Sequence, residues 1–320
     1  MEEKEFKELR ISFVPMDYAA CGLYRVRNPF YTLYLSCKAC LQPAGTFPAG
    51  SDVIYTQRLC NDATMDIMKG LRDKGARIIC DFDDCIWEPL PKYNKCPVRW
   101  EDNRKGMEKN LADVCEKVTC TNEYLKKKLT EFMPEDRITV VPNCLDSRMW
   151  LRDFTQPGKG FLYAGSPTHW TRDDYGDFPK GLVDYLKDKL VRVMGVAPPF
   201  LNVSEVKPWC PVDWYAMNFI EMAKKSAFVL APLVDNEFNK CKSDLKYIEC
   251  CATGRVCLCS DVETYSLAHP YQKIPLDVTP TTMKYIVERA SEHYSEILQH
   301  QYNILNTRWV RAEPYIELFK

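Results

Sequence analysis

Residues 231–261 read APLVDNEFNKCKSDLKYIECCATGRVCLCSD. An apolar strand closes at Pro232 and Leu233, a polar loop follows, a helix begins near Ser243, and RVCLCSD is again a strand. That order is the signature of a parallel βαβ unit with a right-handed crossover. The helix start offers free backbone N–H groups and the positive end of a dipole, a setting that suits phosphate. Lys242 and Lys246 flank it and can neutralise a diphosphate. Glu249 stands three residues after Lys246 on the same face, where it either accepts from two ribose hydroxyls or forms a surface ion pair with Lys246.

Outward from this unit the same rhythm continues in both directions. Upstream, the strand signals RISFVP, SDVIYTQ, ARIICDF, KVTCT and RITVVPN alternate with the helix signals PFYTLYLSCKACLQ, NDATMDIMKGLRDKG, NRKGMEKNLADVCEKV and NEYLKKKLTEFM. The segment CLDSRMWLRDFTQPGKG breaks the pattern, since it lacks a periodic apolar face and contains a Pro-Gly pair. It predicts a boundary near residue 152, with one domain at 1–152 and another at 153–320. The second series holds GFLYAGSP, VRVMGV and AFVLAPL as strands and ends in helices from Thr281 onward. The expected fold class is therefore α/β: two doubly wound, Rossmann-like domains facing across a cleft, with the site between them beyond the carboxyl ends of the strands.

Composition fits a folded chain. Its 320 residues suffice for two domains, and 27% charged with 46% apolar residues is ordinary for a globular protein. A net charge of -1 supplies no general attraction to nucleic acid or anionic membrane. The charged start MEEKEFKELR and the lack of a long apolar run predict no signal peptide and no membrane span, hence a cytoplasmic protein. The sixteen cysteines sit in apolar contexts and read as reduced thiols. Cys37 and Cys40 have half-site spacing but lie in a predicted helix with no second pair to complete a metal site, so neither metal nor cofactor is expected.

Three carboxylates, Asp81, Asp83 and Asp84, end the strand RIICDF. They fit the paired-aspartate nucleophile of a haloacid-dehalogenase-like phosphatase, an acceptor-side acid cluster of another α/β enzyme, or a capped turn. The phosphatase reading fits poorly. Two strands precede Asp81, and the only candidate second acidic pair, RDDYGDF, follows the polar stretch SPTHWT. His169, one of four histidines, lies in the loop Gly165 to Trp170, and Trp209 and Trp214 are candidates to stack on a base.

The segment FNKCKSDLKYIECCATGRVCLCSD resembles the donor-binding segment of GT-B glycosyltransferases, especially the retaining sucrose-synthase-like and mannosyltransferase group, in the short form also found in bacteriophages. Glu249, Ala252, Gly254 and Val256 stand at the matching places. GFLYAGSPTHW, ITVVPNCLD and FVPMDYAACGLYRV resemble further segments of that fold, so the likeness spans nearly the whole chain. Two departures are Cys241, where relatives place a first glutamate, and Gly22 alone in place of a glycine pair. The resemblance implies a nucleoside diphosphate sugar donor held by Gly22, Arg25, Gly165, Ser166, Thr168, Lys242, Ser243, Lys246 and Glu249. It implies catalysis by Asp83, Asp84 and His169, with Asp83 ranked ahead of Asp84, retention of anomeric configuration, no metal, and a last helix (about 301–320) crossing back to the first domain. The acceptor is a hydroxyl of a saccharide, or of a hydroxymethylated base in phage DNA inside an infected host cell. The alternatives are a non-catalytic sugar-nucleotide-binding protein and the phosphatase.

Overall fold

The computed structural model describes residues 3–150 and 156–319, and the boundary predicted near residue 152 lies outside them. Two six-stranded sheets, parallel throughout, carry the chain. The first contains β1 (Arg10–Val14), β2 (Lys38–Leu41), β3 (Val53–Gln57), β4 (Arg77–Phe82), β5 (Lys117–Cys120) and β6 (Ile138–Val140), in the order β2-β1-β3-β4-β5-β6. The second contains β7 (Phe161–Gly165), β8 (Val191–Gly195), β9 (Val203–Lys207), β10 (Phe228–Ala231), β11 (Val256–Ser260) and β12 (Lys273–Ile274), in the order β12-β11-β10-β7-β8-β9. Central strands β3, β7, β10 and β11 are buried along their whole length, because helices cover both faces of each sheet. That is why they read as continuous apolar runs and not as alternating ones.

The structure corrects one predicted element. The helix expected through Cys37 and Cys40 stops at Leu33, and Lys38–Leu41 becomes edge strand β2 against β1. Its burial alternates with period two, as a half-covered edge strand requires, and the open side of β1 supplies hydrogen bonds that a further helical turn would not. Cys37 is buried and Cys40 exposed; all sixteen cysteines are free thiols.

The chain's end completes the first domain. The helix Glu313–Phe319 lies on the first sheet, where the Phe319 ring packs edge-on at 5.8 Å from Phe13 and at 5.8 Å from Tyr55. Two of its last carbonyls are capped from strands of the first sheet: Arg77 donates to Phe319 O at 2.6 Å and Lys117 to Leu318 O at 2.9 Å. No helix among the described residues is long and apolar enough to cross a membrane.

Candidate active site

The two sheets point their carboxyl ends at each other. From the first sheet, β1 runs into a turn where Asp17 Oδ1 accepts the N–H groups of Ala19 and Gly22. A Cβ on Gly22 would stand 2.1 Å from Asp17 O, so glycine is required for this close approach. Gly22, expected to approach the donor, has its N–H already engaged by Asp17 and shapes the turn. The helical run that follows sets Tyr24 at the surface of the cleft and Arg25 beneath it.

Arg25, expected to hold the donor, has its guanidinium engaged by protein groups. Its guanidinium is 1% exposed and is taken up by Asp81 at 2.6 and 2.9 Å, Val141 O at 2.7 Å and Asn143 at 3.0 Å. Asp81 accepts further from Thr119 at 2.5 Å. This buried fork ties β4 to the chain leaving β6, and forms the floor of the site.

Asp83 and Asp84 divide into a fixed and a free carboxylate. Arg58 clamps both oxygens of Asp83, at 2.9 and 3.1 Å, and reaches Asp17 at 3.3 Å. It does so from a left-handed backbone, φ 56°, that a non-glycine residue adopts only under constraint. Burial pushes the Asp83 carboxyl up, but the charge and hydrogen bonds of Arg58 outweigh it and hold Asp83 below the ordinary carboxylate range. Among the described residues, Asp84 has only Lys242 at 3.9 Å and Arg58 at 4.0 Å as ion-pair partners. Burial raises its pKa, with Asp83 adding repulsion that Lys242 and Arg58 only partly offset. Against the expected ranking, Asp84 is the less committed carboxylate of the two.

The second domain supplies the cations and an imidazole. Lys242 and Ser243 precede the helix Leu245–Ala252, and Lys246 lies in its first turn. Ser243 Oγ accepts from Asn143 of the first domain at 2.7 Å. His169 Nδ1 meets Asp177 Oδ2 at 2.7 Å, and Asp177 Oδ1 accepts from Tyr93 at 2.7 Å and Asn239 at 2.7 Å. Burial lowers the His169 pKa, and Lys242 and Lys246 lower it further against the opposing pull of Asp177. Gly165 closes β7, where a Cβ would strike the Tyr163 ring, and Ser166 and Thr168 hydrogen-bond to each other at 2.5 Å.

Glu249 differs from its expected setting. It is 1% exposed, with one oxygen accepting from Tyr24 at 2.8 Å and the other from Tyr215 at 3.0 Å and from Lys246 at 3.4 Å. Tyrosine hydroxyls thus occupy the positions anticipated for ribose hydroxyls. Trp209 and Trp214 are 45% and 57% exposed, and Trp209 stacks on Tyr215 at 6.2 Å.

A cavity of about 150 Å³ lies at the centre. Arg25, Asp83, Asp84, His169, Lys242, Ser243 and Lys246 meet on its wall, whereas Gly22, Gly165, Ser166, Thr168 and Glu249 do not line it. Small-molecule sites commonly occupy about 300–1,000 Å³, so this cavity is small for one, with the Tyr24–Glu249 and Asn143–Ser243 contacts made across it. Three participants had no sequence signal of their own. Arg58 belongs to no motif, Tyr24 lies in FVPMDYAACGLYRV with nothing nearby in sequence to mark its partner, and Asp177 lies in RDDYGDF at a spacing of eight from His169 that carries no recognisable period.

No protein-family model matches the chain, and no curated protein matches it by sequence. Solved structures do match along its length. Sucrose-phosphate synthase from Thermosynechococcus elongatus superposes with a TM-score of 0.63 at 9% identity, covering 98% of this chain and 97% of that one. The chain has the two-domain GT-B fold. HepE of Anabaena, in complex with UDP-glucose, gives 0.61 at 10% identity over 97% of this chain and 98% of that one. The lipopolysaccharide outer core galactosyltransferase WaaB gives 0.53 at 11% identity over the same 97% and 98%.

Proposed function

We propose that the protein is a glycosyltransferase that moves a sugar from a nucleoside diphosphate sugar to a hydroxyl acceptor, with retention of anomeric configuration. The observation that carries this reading is the meeting, in one cleft of a GT-B fold, of Lys242 and Lys246 from one domain with Asp84 from the other, beside a His169 imidazole braced by Asp177. The HepE structures that hold UDP and UDP-glucose support a uridine donor.

In this reading residues 153–320 hold the donor and residues 1–152 present the acceptor, with the segment of about 301–320 returning to the first domain. Lys242 and Lys246 neutralise the pyrophosphate and stabilise the charge that develops on it as the glycosidic bond breaks. His169, with Nδ1 committed to Asp177, is left to act through Nε2 on the departing phosphate oxygen or a donor hydroxyl. Asp84, its pKa raised by burial, accepts the acceptor's proton or steadies positive charge on the sugar ring. Glu249 reaches the ribose once Tyr24 withdraws. Closure around the donor excludes water and limits hydrolysis.

Incubation with UDP-glucose, UDP-galactose and UDP-N-acetylglucosamine against panels of free saccharides and hydroxymethylated duplex DNA, read by mass spectrometry, tests this. A mass gain of one sugar on any acceptor supports it. Nucleotide binding with neither transfer nor donor hydrolysis would instead make the protein a sugar-nucleotide sensor.

A further inference from the structure

Cys85 directly follows Asp84 in the first domain, and Cys241 directly precedes Lys242 in the second. Their thiols meet across the domain boundary. The Cys85 thiol is hydrogen-bonded to Cys241, and Cys241 donates to Glu237 O at 3.4 Å. Among the described residues, Cys241 is the one member from the second domain in a buried cluster otherwise built by the first, with Cys85, Trp87, Leu125 and Leu129. Its backbone is held there as well: the Asn122 side chain donates to the carbonyls of Lys240, Cys241 and Lys242 at 3.3, 3.2 and 2.9 Å, and Tyr124 donates to Glu237. Other thiol contacts, Cys80 with Cys115 and Cys257 with Cys250 and Cys259, stay within one domain.

Thiols packed on thiols are ordinary core material. This pair differs in having a route to it. A cavity of about 240 Å³ lies against Cys85, walled by Glu88, Pro89, Lys128, Glu237 and Phe238. At roughly 30 Å³ per water it has room for about eight waters, so a molecule the size of hydrogen peroxide fits inside. Cys85 is 1% exposed and Cys241 not at all, which makes Cys85 the sulfur an oxidant meets first. The hydrogen bond to Cys241 and burial push the Cys85 thiol well up, Glu88 adds to this, and Lys128 opposes it. The pair therefore rests as neutral thiols and reacts faster as pH rises.

We propose that Cys85 and Cys241 form a reversible cross-domain disulfide when peroxide enters this cavity, and that the bond disables the diphosphate grip by fixing Lys242 against Asp84. Cys85 sulfur attacks one peroxide oxygen, the O–O bond breaks, water leaves and a sulfenic acid remains. Cys241 sulfur then attacks Cys85 sulfur, the S–O bond breaks, and a second water leaves with the Cys241 proton. Two thiols have given up two electrons, and one peroxide has become two waters. The new bond ties the 81–85 turn to the 237–242 loop, so Lys242, 3.9 Å from Asp84, is kept on that carboxylate and away from phosphate. The effect on the donor rests on the glycosyltransferase reading; the disulfide does not.

The test exposes native protein, Cys85→Ser and Cys241→Ser to hydrogen peroxide at pH 7 and pH 9, alkylates the remaining thiols and maps the peptides by mass spectrometry. Calorimetry measures UDP-glucose affinity before oxidation, after it, and after dithiothreitol. The expected result is a peptide joining Cys85 to Cys241 within the native monomer, formed faster at pH 9. With it comes at least a tenfold loss of UDP-glucose affinity that dithiothreitol reverses and that neither variant shows. Oxidation of the exposed Cys40 and Cys96 with Cys85 and Cys241 still reduced overturns the disulfide, and this native map decides the point even where a variant fails to fold. The joined peptide with unchanged affinity overturns the effect on the grip. Reduced native protein that binds no sugar nucleotide refutes the donor reading, and the peptide map still judges the disulfide.

Discussion

The hydroxyl of Tyr24, from the first domain, donates to Glu249, from the second, at 2.8 Å. This bond both latches the cleft and hides the carboxylate proposed to read the ribose. Tyr24→Phe removes it without changing the ring. UDP then binds about three- to tenfold tighter by calorimetry, since the nucleotide no longer competes with the tyrosine for a charged acceptor. Unchanged or weaker binding would show that Glu249 does not serve the nucleotide.

Lys242 and Lys246 are proposed to grip the pyrophosphate, so Lys242→Ala and Lys246→Ala each weaken UDP-glucose binding by about 10- to 100-fold. The loss shrinks in high salt, because the attraction of the native lysines is itself screened there. Charge-reversed Lys242→Glu/Lys246→Glu protein that binds every sugar nucleotide normally would remove the phosphate site from this helix.

Asp84→Asn is expected to reduce turnover by at least about 100-fold while leaving UDP affinity within threefold. Asp83→Asn has a different signature. It strips Arg58 of its bidentate partner and lowers the thermal stability of the first domain, with turnover falling through misplacement of the 81–84 turn. Equal turnover in Asp84→Asn and native protein counts against the assigned proton acceptor.

Asp81→Asn tests the floor. It leaves Arg25 buried and uncompensated, a change that typically costs about 3–5 kcal/mol. Thermal unfolding followed by circular dichroism should shift down by on the order of 10 °C. Replacing Arg25 and Asp81 together by Met and Leu should cost less than Asp81→Asn alone.

The lowered pKa of His169 has two consequences of determinable sign. Its folded value lies below its unfolded one, so its contribution to stability is complete above the ordinary histidine range and is lost as pH falls toward the folded value. His169→Gln should therefore flatten the stability profile below about pH 6.5. Lys242 and Lys246 help to depress this pKa, and a bound diphosphate screens them, so donor binding takes up a proton. UDP-glucose, which has no group titrating in this range, should bind more tightly at pH 6 than at pH 8, and His169→Gln should erase the difference.

The βαβ alternation was legible because the buried central strands are continuous apolar runs and the helices between them carry clear periodicity. The edge strands were less so. KACL continues the pattern of the helix before it, since four residues of mixed polarity say little until β1's free edge lies beside them. At the site, the helix-start lysines and the strand-end aspartates were visible as local chemistry. What they pair with was not: Arg58 reaches Asp83 across 25 residues, Tyr24 reaches Glu249 across 225, and the choice between Asp83 and Asp84 depends wholly on such partners.

The Glu313–Phe319 helix sets the order in which the molecule can be made. Phe13 and Tyr55 emerge early in synthesis, yet the ring that seals them belongs to Phe319. The first domain thus waits, one greasy flank bare, while the entire second domain is translated. A nascent chain arrested before residue 313 should be protease-sensitive and bind chaperones at its amino-terminal half, and any fusion that pulls the tail away would loosen the part of the protein most distant from it in sequence.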